Sequence, residues 1–280
     1  MMHAGTLITI FCIVGLGYAA DPDFTFTWMD CAANFLEVTI GPTSTGSVKF
    51  HIVDVTSGQK VATEIQDYGT TVVYTVPETL DNSVENKVTG RGFRVPLPKC
   101  GNGQYEPHMT TFDGYKFNSN GYCSYTLVKS CDDTVYPDFE VTADFRGKNY
   151  PYEPPTFMVA FNVTSNGKQL IRINEDDSVL ISGKPMTDSL TVIDDYVGKV
   201  RKENGVITVY LNELGFTLNW KRRGHGMSIT LNDEYLHGRV CGLLGNADDN
   251  PKNDFVTPDG QRTFDSVVFS DSWQVPGSCP

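Results

Sequence analysis

The sequence lacks the features of a membrane-spanning protein, a nucleic-acid-binding protein and two common types of hydrolase. Beyond its first twenty residues, no apolar run approaches the roughly 20 residues that a transmembrane helix needs. Acidic residues outnumber basic residues by 34 to 22, and the net charge of −12 disfavours binding to nucleic acid and to anionic membranes. Neither a Gly-x-Ser-x-Gly motif nor a His-Glu-x-x-His motif occurs. These absences favour a protein that is not an enzyme.

Cysteine is scarce and widely spaced. None of the seven cysteines forms a Cys-x-x-Cys pair, which argues against a zinc or redox site of that type. Loss of an N-terminal signal peptide would remove Cys12 and leave six, and an even number in an oxidising compartment suggests three disulfides. Six cysteines allow many pairings, so this count does not fix the pairing. The six are Cys31, Cys100, Cys123, Cys131, Cys241 and Cys279.

The N-terminus has the pattern of a secretory signal peptide. Residues 7–17 form an apolar run too short to span a bilayer, and Gly17-Tyr18-Ala19 is a small-x-small cleavage pattern. A buried N-terminal strand or helix is the alternative interpretation. We predict a signal peptide at 1–20 and a secreted, extracellular protein. The sequence Asn162-Val163-Thr164 is the only glycosylation sequon, which predicts that Asn162 is glycosylated on an exposed turn or strand end.

The feature present in abundance is the strand pattern. Apolar and polar residues alternate along most of the chain, and turn-forming clusters separate the alternating segments. About 260 mature residues are enough for two domains. We predict an all-β protein with a small N-terminal β-sandwich at 21–99, further strands after it, and short helical turns only near 231–237 and 264–273. The predicted strands are 24–28, 35–40, 47–53, 71–76, 90–95, 122–128, 139–145, 156–162, 169–174, 178–181, 206–211, 216–221 and 227–231.

One loop is unusually rich in oxygen ligands. Between Asn246 and Asp254, six of nine side chains end in a carboxylate or an amide. A hard cation such as calcium prefers about six to eight oxygen ligands, so this loop supplies much of a coordination shell. The spacing does not fit the helix–loop–helix calcium motif, which needs acids at alternate positions, a central glycine and a final glutamate. An ordinary polar turn is the alternative interpretation, because Asp, Asn and Pro also favour turns.

Four short motifs, in order, resemble a von Willebrand factor type D domain over residues 100–279. The start of that domain is matched by Cys100, the run Glu106-Pro107-His108-Met109-Thr110-Thr111-Phe112-Asp113-Gly114, and the run Gly121-Tyr122-Cys123-Ser124-Tyr125-Thr126-Leu127 with Cys131. Its end is matched by Val240-Cys241-Gly242-Leu243-Leu244-Gly245-Asn246 with Asn253-Asp254-Phe255, and by Phe269-Ser270-Asp271-Ser272-Trp273 with Cys279. The resemblance implies a β-sandwich domain at 100–280.

The resemblance also implies a calcium site. In this family the loop after the Gly-Asn pair binds calcium together with an acidic residue from the first motif, helped by backbone carbonyls. By position, that acidic residue is Glu106 here, in place of the family's Asp. The side chains of Asp249 and Asn250 supply further oxygen atoms, and Asn250 is interpreted as part of a solvated turn. The implied metal ligands are Glu106, Asn246, Asp248, Asn253 and Asp254.

Two departures from the family pattern carry further expectations. Some members cleave themselves at the Asp-Pro bond of the first motif, and Glu106 in place of Asp predicts that this chain does not. The second is Leu244, which stands where the family has a cysteine that pairs with the position of Cys100. We therefore predict a Cys31–Cys100 disulfide that ties the two domains together. The family pattern implies the other two pairs, Cys123–Cys279 and Cys131–Cys241.

These expectations favour a non-enzymatic, calcium-stabilised structural or adhesive protein of extracellular matrix, mucus or a mineralised layer. With six mature cysteines assigned in pairs, covalent multimers are not expected. One alternative is a secreted factor that binds a protein ligand through an aromatic patch of Phe24, Phe26 and Trp28. Another is an oxidase like the secreted luciferases that carry this domain, although those resemble tandem domains with many more cysteines. His108 and His225 are interpreted as a structural residue and a turn residue.

Overall fold

The computed structural model describes residues 8–13, 24–28, 35–41, 47–54, 60–67, 69–75, 92–95, 99–149, 153–194 and 197–279. The chain divides into two units, Met1–Pro98 and Lys99–Pro280, each of which is described by itself. Both are built from antiparallel strands, so the predicted all-β class is confirmed. No helix in the described ranges has the length and apolar character needed to cross a membrane.

The first unit contains two antiparallel sheets within its described residues. Their strand orders are β5-β4-β1-β7 and β2-β3-β6. The side chains of Val38 and Ile40 on β3 are fully buried, as the alternation of that segment predicts. The strands are β1 (Ile8–Ile13), β2 (Phe24–Trp28), β3 (Phe35–Ile40), β4 (Ser47–Asp54), β5 (Lys60–Asp67), β6 (Thr71–Thr75) and β7 (Gly92–Val95).

Strand β1 lies inside the segment interpreted as a signal peptide. It pairs with β4 on one side and with β7 on the other, so it is a central strand of its sheet in the full-length chain. This pairing corresponds to the strand in the alternative interpretation. Cleavage near residue 20 would remove it and leave β4 and β7 to pair differently. The signal peptide stays a prediction.

The second unit is a sandwich of two antiparallel sheets. One has the order β10-β9-β8-β21-β20-β19-β18-β17, and the other has the order β16-β15-β14-β13-β12-β11-β22. Its first strands are β8 (Lys99–Gln104), β9 (His108–Thr110), β10 (Lys116–Asn118), β11 (Ser124–Ser130), β12 (Phe139–Asn149), β13 (Glu153–Ser165) and β14 (Lys168–Ile173). The remaining elements are β15 (Val179–Ile181), β16 (Lys184–Pro185), β17 (Leu190–Asp194), β18 (Gly198–Glu203), β19 (Val206–Leu211), β20 (Phe216–Lys221), β21 (Gly226–Leu231), a 3₁₀ turn (Glu234–Leu236), β22 (Val240–Cys241) and helix α1 (Ser266–Ser272).

The core lies between these two sheets, where their apolar faces meet. Phe139 of one sheet packs on Phe216 of the other with 4.8 Å between ring centroids, and Phe161 packs on Trp220 at the same distance. All four rings are buried. Burial of each such ring contributes on the order of 2–3 kcal/mol, so the apolar side of the alternation decides which faces pack together.

Strand β8 was not predicted, because its sequence Lys-Cys-Gly-Asn-Gly-Gln reads as a turn. The structure gives both glycines a packing reason. A Cβ atom on Gly101 would lie 2.9 Å from Leu244 Cδ1, and one on Gly103 would lie 2.6 Å from Met109 Sδ. Because the side chains of Leu244 and Met109 pack directly against the backbone of this strand, positions 101 and 103 have no room for a side chain. Leu244, which replaces the family's cysteine, is fully buried by this contact.

Two disulfides bracket β11. Cys123 precedes the strand and bonds Cys279, with 4.3 Å between Cα atoms, and Cys131 follows it and bonds Cys241, at 5.8 Å. These are the two pairs that the family resemblance implied. They fix β22 and the C-terminal segment to the same strand. Cys100 is also disulfide-bonded, whereas Cys31 lies outside the described residues.

The sequon residue Asn162 lies within strand β13, not on a turn or at a strand end. It pairs with Thr142 and Arg172 on the neighbouring strands. Its side-chain oxygen accepts a hydrogen bond from Gln169 Nε2 at 2.6 Å. The expectation of an exposed turn was therefore wrong, while glycosylation of Asn162 stays a prediction.

Candidate metal centre

The oxygen-rich loop starts from backbone that is fixed to the core. The amides of Leu243 and Leu244 donate to the carbonyls of Thr126 and Leu127 at 3.1 and 2.9 Å. Gly242 has φ +136°, and a Cβ atom there would lie 2.5 Å from the Leu127 carbonyl oxygen. Glycine is needed at that position because the two backbones approach so closely. The loop that follows is therefore anchored at its first residue.

Asp254 is the most deeply buried carboxyl group of the loop, with 3% exposure. Its Oδ2 accepts a hydrogen bond from Thr111 Oγ1 at 2.6 Å, and its Oδ1 accepts one from the Asn246 amide at 3.3 Å. Burial raises the pKa of Asp254 to about 6, the Thr111 hydroxyl partly offsets this, and the negative charge of Asp113 adds to it. Its ionised form is therefore disfavoured by burial and by the neighbouring carboxylates.

Asp248 is surrounded by donors from the same loop. Asn253 Nδ2 donates to its Oδ2 at 2.7 Å, and the Asn250 amide donates to its Oδ1 at 3.0 Å. Burial acts to raise the pKa of Asp248, but hydrogen bonds from Asn253 and Asn246 outweigh it and hold the pKa below its ordinary value. Asp248 is therefore ionised at neutral pH.

Two amide oxygens in the loop are buried without a partner. Asn246 Oδ1 and Asn253 Oδ1 accept no hydrogen bond from the described part of the chain. The side chains of both residues instead hydrogen-bond to Asp248, and for Asn253 the donor is Nδ2. A buried acceptor left without a donor costs about 1–3 kcal/mol, so such a pair is uncommon. A cation beside these oxygens would satisfy both, and amide and carboxylate oxygens are ligands that suit calcium.

Asp113 is the acidic residue of the first motif that reaches this loop, and sequence reasoning missed it. Its side chain is fully buried. Its Oδ2 accepts the Asp248 amide at 3.0 Å and its Oδ1 accepts the Asp249 amide at 2.9 Å. Phe112, its neighbour, donates its amide to the Leu244 carbonyl at the start of the loop at 2.8 Å, a contact that the sequence alone does not show.

Glu106 lies at the other end of β8. It is exposed in the turn between β8 and β9, and among the described residues no hydrogen bond or ion pair joins it to the loop. The other end of β8 contacts the loop, because Lys99 at the beginning of the strand bonds Asp249. Since a strand rises about 3.3 Å per residue, the two ends of β8 are roughly 16 Å apart. Strand β9 runs back along β8 and carries the chain to Asp113, which explains why the later acid meets the loop.

Lys99 places a positive charge at the edge of the site. Its Nζ donates to Asp113 Oδ1 at 3.2 Å and also to Asp249 Oδ1. Burial acts to lower the pKa of Lys99, but the two carboxylates outweigh it and raise the pKa above its ordinary value. Burial, followed by the charge of Lys99, lowers the pKa of His237, so His237 is neutral at this position.

In the described ranges, no group of three or more His, Cys, Asp or Glu side chains is placed to hold a metal ion. Asp113 and Asp249 are engaged by amides and by Lys99, and amide oxygens make up a large share of the donors in the loop. Such a set suits a hard cation and not a transition metal. The structure brings together Asn246, Asp248, Asn253 and Asp254 with Asp113, and it leaves Glu106 apart.

Residues 101–261 match the family model of the von Willebrand factor type D domain. The chain belongs to the von Willebrand factor type D (VWD) family. Alpha-tectorin of Mus musculus is 29% identical over 180 residues, which are 61% of this chain and 8% of the tectorin. Zonadhesin of Sus scrofa is 30% identical over 172 residues, or 61% of this chain and 7% of the zonadhesin. Mucin-5AC of Homo sapiens is 30% identical over 178 residues, or 62% of this chain and 3% of the mucin.

The similarity to these relatives covers 61–62% of this chain. The chain spans less than a tenth of the length of each of the three. Their similarity therefore supports the domain assignment and does not transfer the activity of the whole relatives. None of the three is named for a catalytic activity.

Proposed function

We propose that this is a secreted VWD protein in which calcium stabilises the fold, with a non-enzymatic structural or adhesive role in extracellular matrix, mucus or a mineralised layer. The observation that carries the calcium part is the pair of buried amide oxygens, Asn246 Oδ1 and Asn253 Oδ1, which accept no hydrogen bond among the described residues. The extracellular part is supported by relatives that include a mucin and a zonadhesin.

Asn246, Asp248, Asn253 and Asp254 would hold the ion through side-chain oxygens. When bound, calcium supplies positive charge that offsets the repulsion between Asp248, Asp254 and Asp113. Asp113 contributes by holding the loop backbone at the amides of Asp248 and Asp249. Thr111 holds the Asp254 carboxylate from the same segment. The loop and the 111–115 segment are thus tied together, and in this role the ion stabilises a structure and takes part in no reaction.

The test is thermal unfolding of the full chain in excess EDTA and across a calcium titration. Binding to the folded state alone stabilises by about 2.7 kcal/mol at a hundredfold excess over Kd. We expect the calcium-dependent rise in Tm to disappear in Asp254→Asn and in Asn253→Ala.

Two matched controls sharpen this experiment. Asp259 is an exposed acid in the nearby turn that bonds only Thr257 and the turn backbone, and Asp259→Asn is expected to keep the full calcium response. Glu106→Gln is also expected to keep it, whereas Asp113→Asn is expected to weaken it. If calcium has no effect on wild type, the loop is a polar turn and the calcium part of the proposal is wrong.

The histidine contacts favour the non-enzymatic interpretation over an oxidase. His108 Nδ1 lies 2.7 Å from Asn118 Oδ1, and His225 Nδ1 lies 2.9 Å from the Met158 carbonyl oxygen. The His108 ring is therefore held by the neighbouring strand β10, and the His225 ring by strand β13 of the other sheet. The aromatic patch proposed as a ligand-binding surface lies on β2, but its side chains are outside the described part of the structure. That alternative stays a prediction.

A further inference from the structure

A basic turn lies at the end of the VWD sandwich opposite the candidate metal centre. The hairpin joining β20 to β21 carries the sequence Lys221-Arg222-Arg223-Gly224-His225, and its three basic residues are exposed. We name residues 221–225 the basic hairpin. It packs beside the far end of β8, where the Tyr105 amide donates to the Gly224 carbonyl at 3.1 Å. The whole chain has a net charge of −12, so the charge of this hairpin is opposite to that of the chain.

Beside the basic hairpin is a cleft of about 560 Å³. This volume falls in the range of about 300–1,000 Å³ that is typical of small-molecule sites. Two arginines from different sheets, Arg146 of β12 and Arg222, line it together with His225 and Trp220. Glu175 lies on its edge as an acidic residue among the cations. A guanidinium from each sheet therefore faces the same space.

Arg146 retains positive charge that its neighbours do not neutralise. Its Nη1 donates to the Phe145 carbonyl at 2.8 Å, and its Nη2 is 3.8 Å from Asp144 Oδ2. That carboxylate is already bonded to Arg172 at 2.7 Å and to the Ser124 hydroxyl at 2.6 Å. Two arginines therefore share the single charge of Asp144, with Arg172 the closer of the two, so Arg146 keeps part of its charge and its remaining N–H donors for an anion in the cleft.

Arg222 and His225 line the cleft from the basic hairpin. Arg222 is 3.8 Å from Asp177 Oδ2, and the other oxygen of that carboxylate accepts the Trp220 Nε1 proton at 3.1 Å. His225 Nδ1 must carry its proton, because a carbonyl such as that of Met158 can only accept. The ring packs on Phe157 with 4.7 Å between centroids, and this contact holds it in position at the side of the cleft.

We propose that this cleft binds a small sugar that carries one carboxylate or sulfate group. A guanidinium pairs with such planar or tetrahedral oxyanions through two parallel hydrogen bonds, which is the chemistry that Arg146 and Arg222 offer. The volume greatly exceeds that of a single ion, so the ligand has an uncharged body. The Glu175 carboxylate accepts hydrogen bonds from hydroxyl groups of that body. The net charge of −12 repels long polyanions, which favours a ligand with a single acidic group.

The test is isothermal titration of the full chain in calcium-containing buffer with four probes. N-acetylneuraminic acid and glucuronic acid each carry a carboxylate. N-acetylglucosamine 6-sulfate carries a sulfate, and N-acetylglucosamine is the neutral probe. We expect at least one acidic probe to bind with a Kd on the order of 1 mM and the neutral sugar not to bind. The acidic probe that binds identifies the group as a carboxylate or a sulfate.

Arg222→Gln and Arg146→Gln are each expected to weaken binding about tenfold, since each removes one guanidinium. Arg222 is the primary variant because its side chain is 55% exposed and its loss should leave the fold intact, which thermal unfolding checks. Arg201→Gln is the matched control, since Arg201 is a comparably exposed arginine paired with Glu203 at 2.6 Å away from the cleft. Absence of binding by every acidic probe, equal binding of the neutral sugar, or equal weakening by Arg201→Gln would overturn the proposal.

Discussion

The two ends of the VWD sandwich carry opposite charge and hold it in opposite ways. At the acidic end, Asp113 and Asp254 are buried and are hydrogen-bonded to backbone and side chains of other segments. At the basic end, Lys221, Arg222 and Arg223 extend into solvent from one hairpin. Charge at the first end is therefore coupled to folding, and charge at the second end can change with little effect on folding. The comparison predicts that equivalent substitutions have very different effects at the two ends.

The largest difference is expected between two glycines. Gly245 and Gly224 have φ values of +79° and +92°, so alanine is strained at both. A Cβ atom on Gly245 would lie 2.1 Å from Asp254 Oδ1, whereas one on Gly224 would lie 3.6 Å from its nearest neighbour, the Tyr105 ring. We expect Gly245→Ala to cost more than about 3 kcal/mol and Gly224→Ala about 1 kcal/mol. Urea unfolding of both variants in calcium measures the difference, and equal losses would contradict the account of the loop.

The next effect is a pH dependence that belongs to the acidic end alone. The pKa of Asp254 in the folded protein is about 6, above the value of about 3.9 in the unfolded chain. Without metal, the stabilising contribution of protonated Asp254 is complete below about pH 4 and is lost as the pH rises through 6. It amounts to about 3 kcal/mol at most.

In EDTA, urea unfolding should therefore show that the free energy of unfolding falls between about pH 4 and pH 6, and Asp254→Asn should flatten that change. Calcium requires the ionised carboxylate, so its Kd should rise as the pH falls below about 6. A wild-type profile in EDTA that matches the Asp254→Asn profile would mean that Asp254 titrates normally.

The smallest effect concerns single cations. Lys99→Gln removes the charge beside Asp113 and Asp249, so we expect calcium affinity to rise about fivefold and stability in EDTA to fall by about 1 kcal/mol. Arg223→Gln, the same charge change in the basic hairpin, should alter neither by more than about 0.5 kcal/mol. Calcium titration followed by unfolding measures both quantities. If Lys99→Gln lowers calcium affinity, Lys99 positions Asp113 and does not compete with the ion.

The sequence predicted best where one local pattern determines the outcome. Segment 216–221 alternates between apolar and polar residues, segment 206–211 is rich in β-branched residues, and they form β20 and β19 with those bounds. Strand β8 was missed because the requirement for its glycines comes from Leu244 and Met109, which are distant in sequence. The four loop residues were predicted because they lie within one stretch of nine residues, and Asp113 was missed because its position beside the loop depends on how β9 folds back along β8. Contacts between residues that are distant in the sequence produce no local sequence pattern from which they could be predicted.

The contact between Leu244 and Gly101 has a consequence for how the chain matures. In this family a cysteine stands at the position of Leu244 and pairs with the position of Cys100, so the link between β8 and the metal loop is a disulfide that requires oxidation. Here that join is an apolar contact with a fully buried leucine, and it forms without any oxidant or isomerase. A reductant that opens Cys131–Cys241 would leave it in place. The packing of the loop on β8 therefore depends at this position on side-chain volume and not on redox conditions.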